Sequence, residues 1–293
     1  MASARGFRVV IGTDGSSDAR AAVAVAVEFP WPARARARAV VSRFHFSVAE
    51  ESPAALWAAL EKNCARTASG ARRALRRRWP AADVVVRSRP PVEAILAEAR
   101  GAGAIVVGTR GHGPLGRLVL GSVSRGVVRR AVCPTLVVRG RPRRVSRFLI
   151  GLDGSANARR AIAFMARLRP PRGGRVTLVR VLETVRPPSL ALLPAAVRVT
   201  LDRELAGMRA DQVRSARREL QAAAASLKRT GWRVGSQIRW GRPVDELLAA
   251  GRSARAHVAV VGARGAGGFK KLLLGSVADG VLSSSRTSVL AVR

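Results

Sequence analysis

The sequence predicts two tandem α/β domains, each an open five-stranded parallel sheet with helices on both faces. Three observations predict it. The chain aligns with itself: FRVVIGTDGSSDARAAVAVAVEF at 7–29 matches FLIGLDGSANARRAIAFMARL at 148–168, placing Asp14 over Asp153. In both copies short apolar runs alternate with longer amphipathic ones. The strand-like runs, RVVIG and AIVVG among them, are continuously apolar, as in a parallel sheet covered on both sides. Strands separated by helical segments make βαβ units, and right-handed crossovers then give a doubly wound sheet.

The elements of the first copy follow in order. RVVIG reads as a strand and SSDARAAVAVAVEF as a helix, with Ser16 or Ser17 as the N-cap that accepts from an orphan N–H. ARAVVSRF is a second strand and PAALWAALEKNCARTASGARRALRRRW a long helix. ADVVVRS, PVEAILAEARG and AIVVG give strand, helix and strand; SVSRGVVRRA is the last helix and TLVVR the last strand. The second copy carries about 15 extra residues, expected after RVTLVRVL in ETVRPPSLALLPAAVRVTLDRELAG. The domains are expected over 1–140 and 148–293, joined by a basic linker at 141–147 in which Pro142 stops the preceding strand.

Bulk properties bound the function. Hydrophobic residues make up 48% and charged residues 24% of 293, the composition of a globular protein long enough for two cores. The longest apolar runs, such as AAVAVAV, fall well short of the roughly 20 residues that span a bilayer. The N-terminus runs straight into a strand without an h-region, so no secretory signal is expected. Cys64 and Cys133 match no metal spacing and read as free thiols in a reducing cytoplasm, the expected location. The net charge is +35, divided as +15 before residue 142 and +20 from there on, so it is not a basic tail. One reading is a surface for nucleic acid or another polyanion. The other is compositional, with 49 Arg against 4 Lys in a chain rich in Ala, Gly and Val. Without Tyr, and with few Phe and Trp, there is little to stack bases on, so only weak non-specific nucleic-acid binding is expected.

The chemistry lies in a run that occurs twice. GTRGHGPLGRLVLGSVS at 108–124 returns as GARGAGGFKKLLLGSVA at 262–278, both reading G-x2-G-x9-G-S. The glycines are Gly108, Gly111 and Gly121, followed by Ser122, and Gly262, Gly265 and Gly275, followed by Ser276. The first glycine follows a buried strand and the Gly-Ser opens a helix. Glycine there permits close approach to a ligand and positive φ, and N–H groups leading into a helix N-terminus make an anion site. Ser122 and Ser276 are placed to cap that helix or to give a hydroxyl to a phosphate. The G-x-G-x-x-G in GHGPLG is accidental, since it follows the fourth strand and the second copy reads GAGGFK. No Walker G-x-x-x-x-G-K-[ST] occurs.

These residues resemble the universal stress protein family, whose ATP-binding members carry G-x2-G-x9-G-[S/T] after the fourth strand and an aspartate at the end of the first. Both copies match. The resemblance implies a Rossmann-like fold, ATP as ligand with Mg²⁺ accompanying its phosphates, and a stress-response or signalling role. It implies that Asp14 and Asp153 contact the nucleoside end, alongside Gly12, Thr13, Gly151 and Leu152. By the same resemblance Gly108, Gly111, Gly121, Ser122 and Val123 hold phosphates in the first copy. Gly262, Gly265, Gly275, Ser276 and Val277 do so in the second. It further implies that TLVVR and SVLAVR pair across the domains as a pseudo-dimer, which removes two sheet edges; further homodimerisation is left open.

Alternatives stand beside these roles. Asp14 and Asp153 in D-G-S also suit a plain turn or cap. Arg110 and Arg264 either pair with phosphates or are solvated. The second copy has Thr287 or Ser288 where the first has Pro134, and its extra residues follow the second strand, so the second site is open to a different affinity or ligand. His45, His112 and His257 are scattered, and His112 faces Ala266 in the alignment. No catalytic residue and no metal ligand set is therefore expected, and slow ATP hydrolysis remains the enzymatic alternative.

Overall fold

The alternating pattern folds as strand then helix throughout both copies. The computed structural model describes residues 6–43, 54–109, 120–140, 144–183, 195–263 and 274–293. The first copy contains β1 (Arg8–Gly12), α1 (Ser17–Glu28), β2 (Arg36–Ser42), α2 (Ala54–Arg76), β3 (Asp83–Arg87), α3 (Pro91–Glu98), β4 (Ala104–Gly108), α4 (Ser122–Arg130) and β5 (Thr135–Val138). The second contains β6 (Arg147–Leu152), α5 (Ala156–Arg167), β7 (Arg175–Leu182), α6 (Ala195–Lys228), β8 (Arg233–Trp240), α7 (Pro243–Ser253), β9 (Val258–Gly262), α8 (Ser276–Ser284) and β10 (Ser288–Val292).

All ten strands form one sheet, in the order β3-β2-β1-β4-β5-β10-β9-β6-β7-β8. Each half is the expected five-stranded parallel sheet, and the two halves are continuous rather than separate. They join where β5 and β10 run antiparallel, with Leu136 opposite Leu290. Chain order reverses between β1 and β4 and between β6 and β9. Such switch points open a crevice at the carboxyl ends of the strands.

One apolar layer packs α1, α2, α5 and α6 on one face, and a second packs α3, α4, α7 and α8 on the other. Both layers cross the junction. Phe148, at the start of β6, lies edge-on to Phe29 at 5.8 Å and to Trp232 at 5.2 Å, tying the end of α1 to the second half. Trp31 is fully buried because its indole N–H donates to the Ala26 carbonyl at 2.8 Å. At the expected linker, β6 already begins at Arg147, and Val145 and Ser146 are buried. The Ser146 N–H donates to His257 Nδ1 at 3.1 Å. Much of the extra length of the second copy is helical: α6 has 34 residues against 23 in α2.

Candidate functional site

The end of β1 is held open by its own turn. The Thr13 N–H donates to the Val40 carbonyl at 3.0 Å, extending the ladder by one residue. Asp14 Oδ1 then accepts from the Ser16 N–H at 2.9 Å, and Ser16 Oγ accepts from the Ala19 N–H at 3.2 Å, so Ser16 is the N-cap of α1. Gly15 between them has φ +80°, a conformation that glycine adopts without strain. The second copy repeats this: Asp153 Oδ1 accepts from Ser155 N–H at 2.9 Å, Gly154 has φ +77°, and Ser155 caps α5 through Ala158 N–H at 3.1 Å. Both aspartates therefore hold the turn, and Asp14 is also solvent-exposed at the crevice.

The glycines divide into two kinds. A Cβ on Gly108 would lie 2.7 Å from both the carbonyl carbon and oxygen of Asp18, and on Gly262 2.9 Å from the Asn157 Cβ. These glycines let a strand end touch the first turn of α1 or α5. Neither has positive φ, and the expectation is corrected on that point: it is the close approach of a helix that asks for glycine. Gly12 and Gly151 likewise face side chains beneath the sheet, Ile95 at 2.5 Å and Leu247 at 3.0 Å from a built Cβ. Thr13 and Leu152 are each only 8% exposed.

Gly121 and Gly275 are of the other kind. They are the N-caps of α4 and α8, with ordinary extended dihedrals (φ −62° and −66°) and no side-chain cap bond. Ser122 and Ser276 are the first helical residues and are exposed, so the expectation that they cap the helix is corrected: a hydroxyl inside the first turn points away from the amides that a cap receives. The first amides of a helix have no intrahelical acceptor. At the switch points α1 and α5 answer that need with serine, whereas among the described residues no side chain caps α4 or α8 beside them. Val123 and Val277 anchor the turn by packing on the apolar layer below. Gly111, Gly265, Arg110, Arg264, His45 and His112 lie outside the described residues.

Two positioning residues escape the motif. Thr109 Oγ1 donates to the Val138 carbonyl at 2.6 Å, and Ser124 Oγ donates to the Gly108 carbonyl at 2.6 Å, fixing the start of α4 to the ends of β4 and β5. The second copy has Ala263 and Ala278 there, so only side-by-side comparison of the copies could have drawn attention to them. A groove of about 810 Å³ also runs between α1 and α2, lined by Val23, Arg66, Thr67 and Gly70 and reaching the site only at Thr13 and Gly15.

The model of the universal stress protein family matches residues 7–139 and 145–293. The chain belongs to that family. Universal stress protein Rv2005c of Mycobacterium tuberculosis H37Rv is 29% identical over 215 residues, covering 69% of this chain. The chain spans 66% of that relative's length. A universal stress protein of Thermus aquaticus is 50% identical over 62 residues, 20% of this chain and 45% of its own. Among solved structures, a universal stress protein from Archaeoglobus fulgidus superposes with TM-score 0.70 at 18% identity, over 98% of both chains. The protein PA1789 of Pseudomonas aeruginosa gives TM-score 0.57 at 16% identity, over 98% of this chain and 92% of its own. These last two likenesses speak for the tandem fold of this universal stress protein.

Proposed function

We propose that this universal stress protein binds an adenine nucleotide, ATP, at the carboxyl ends of β1 and β4, and that occupancy serves a stress-response or signalling role in the cytoplasm. The observation that carries the reading is the uncapped, glycine-started N-terminus of α4 at a switch point, inside a G-x2-G-x9-G-S run and beside the serine-capped α1. Open amides and the positive end of the helix dipole favour phosphate there. In this reading the Gly121–Val123 backbone and the Ser122 hydroxyl hold the phosphates. Asp14, presented on a rigid turn, accepts from the nucleoside end. Gly108 and Gly262 serve by setting the strand ends against α1 and α5. No described helix is long and apolar enough to cross a membrane.

Titration of Mg-ATP into the full chain at about 150 mM salt, where surface charge is well screened, tests the reading. Saturable heat should disappear in the double variant Gly121→Glu with Gly275→Glu. The carboxylate at position 121 would sit where phosphate belongs, the change at 275 covers the equivalent place in the second copy, and the extended dihedrals at both caps accept any residue. Binding that ignores both changes and fades steeply with salt would transfer the role to the +35 charge and to polyanions.

A further inference from the structure

The two copies diverge sharply at one point. Gly12 pairs with Val40 and Gly151 with Val179, so the next residues, Val41 and Arg180, occupy the same place at the ends of β2 and β7. Each turn glycine also names its neighbour across the crevice: Thr67 Oγ1 lies 2.5 Å from a Cβ built on Gly15, and Glu219 Oε1 lies 2.7 Å from one built on Gly154. The first copy thus presents a buried valine and a hydroxyl where the second presents a guanidinium and a carboxylate. Arg180 Nε and Glu219 Oε2 pair at 3.4 Å, and Arg180 NH1 donates to the Leu152 carbonyl at 3.3 Å. The two paired atoms are shut off from solvent and have no hydrogen-bond partner, so the ion pair is what holds them.

We infer that nucleotide binds only in the first half, and that the Arg180–Glu219 pair closes the second cleft. The inference rests on the nucleotide reading given above. A ligand anchored by its phosphates at α8, on the β9 side, must extend across β6 toward β7, because that is the strand order at the switch. Its uncharged end then meets Arg180 and Glu219. To enter, it must either cover a charge pair whose facing atoms, Arg180 Nε and Glu219 Oε2, have only each other, or separate it, and both oppose binding. Beyond Thr67 the first copy stays open: nothing lies within 4 Å of a Cβ built on Gly70, and its groove reaches Thr13 and Gly15. The hydroxyl ties of Thr109 and Ser124, which fix α4, are likewise confined to the first half.

Calorimetric stoichiometry of Mg-ATP on the full chain decides it. The parent should bind one nucleotide, Gly121→Glu should remove it, and Gly275→Glu should leave affinity and stoichiometry unchanged. The pair of changes Arg180→Val with Glu219→Thr copies the first cleft into the second and should raise the stoichiometry to two, checked for folding by circular dichroism. Two nucleotides on the parent, loss of binding with Gly275→Glu, or a folded Arg180→Val/Glu219→Thr chain that still binds one would overturn the inference. A parent that binds none defeats the nucleotide reading itself, and this inference with it.

Discussion

Replacing Gly108 by alanine adds one methyl group at the most crowded point of the site. Its Cβ would stand 2.7 Å from two backbone atoms of Asp18 and 2.9 Å from the Ala19 nitrogen. Carbon atoms rest at about 3.5–4.0 Å, so the first turn of α1 must retreat by roughly an ångström, taking the Ser16 cap with it. Backbone cannot swing aside as a side chain can, which puts the cost at the upper end of the ~1–3 kcal/mol typical of overpacking. The unfolded chain loses entropy with alanine, which returns about 0.4–1 kcal/mol. The net expectation is a loss of about 2 kcal/mol. At Gly262 the nearest atom is the Asn157 Cβ at 2.9 Å, then Asn157 C at 3.1 Å and Ala158 N at 3.2 Å, so Gly262→Ala should cost about half as much. Urea unfolding followed by tryptophan fluorescence measures both. A Gly108→Ala chain as stable as its parent that no longer binds ATP would refute the packing argument and return Gly108 to direct ligand contact.

Further expectations can be checked alongside. Asp14→Ala, which removes the acceptor for Ser16 N–H, should cost about 1 kcal/mol, whereas Asp14→Asn keeps the turn and should lower only ATP affinity; equal affinity in the asparagine variant removes Asp14 from the site. Burial, and then the nearby Arg147, hold the His257 imidazole below its ordinary value, and its neutral Nδ1 accepts from Ser146. The folded state resists that proton, so this contribution is complete above about pH 6.5 and is lost as pH falls through the lowered folded value. His257→Gln should flatten the stability slope on the acid side, and an unchanged slope assigns it to other groups. Burial pushes the Cys133 thiol up to about 11, so labelling by a thiol reagent near neutral pH should proceed only as fast as the chain opens. Phe148→Ala should cost about 3–5 kcal/mol in chemical denaturation, since the ring is 1% exposed and wedged between Phe29 and Trp232.

Strand and helix identity was legible because each depends on a local pattern. VVIG in β1 and VAVVG in β9 are apolar throughout since both faces of the sheet are covered, and the serines before α1 and α5 mark their caps. The glycine run located the crevice for the same reason, as its Gly-Ser pairs do begin α4 and α8. What each glycine does was not legible. Gly108 and Gly121 look alike in sequence, yet one is dictated by a helix packed against it and the other starts a helix. Those neighbours lie 90 residues apart for Gly108 and Asp18, and only folding brings them together. Arg180 and Glu219 were hidden in the same way, two charges among many until α6 packs on β7 and sets them face to face.

The antiparallel seam between β5 and β10 sets the carboxyl ends of the two half-sheets on opposite margins of one sheet. Had the halves been separate identical chains, their pairing would weaken on dilution, and every substitution in one cleft would appear in the other. Covalent fusion lifts both constraints, because the partner's effective concentration is fixed by the chain itself. A mutation that spoils ligand binding in one half then leaves the seam intact, and that half is free to drift toward another task while still bracing its twin. Arg180 and Glu219 have the form such drift takes: a broken symmetry that an obligate two-fold assembly could not have tolerated in one place alone.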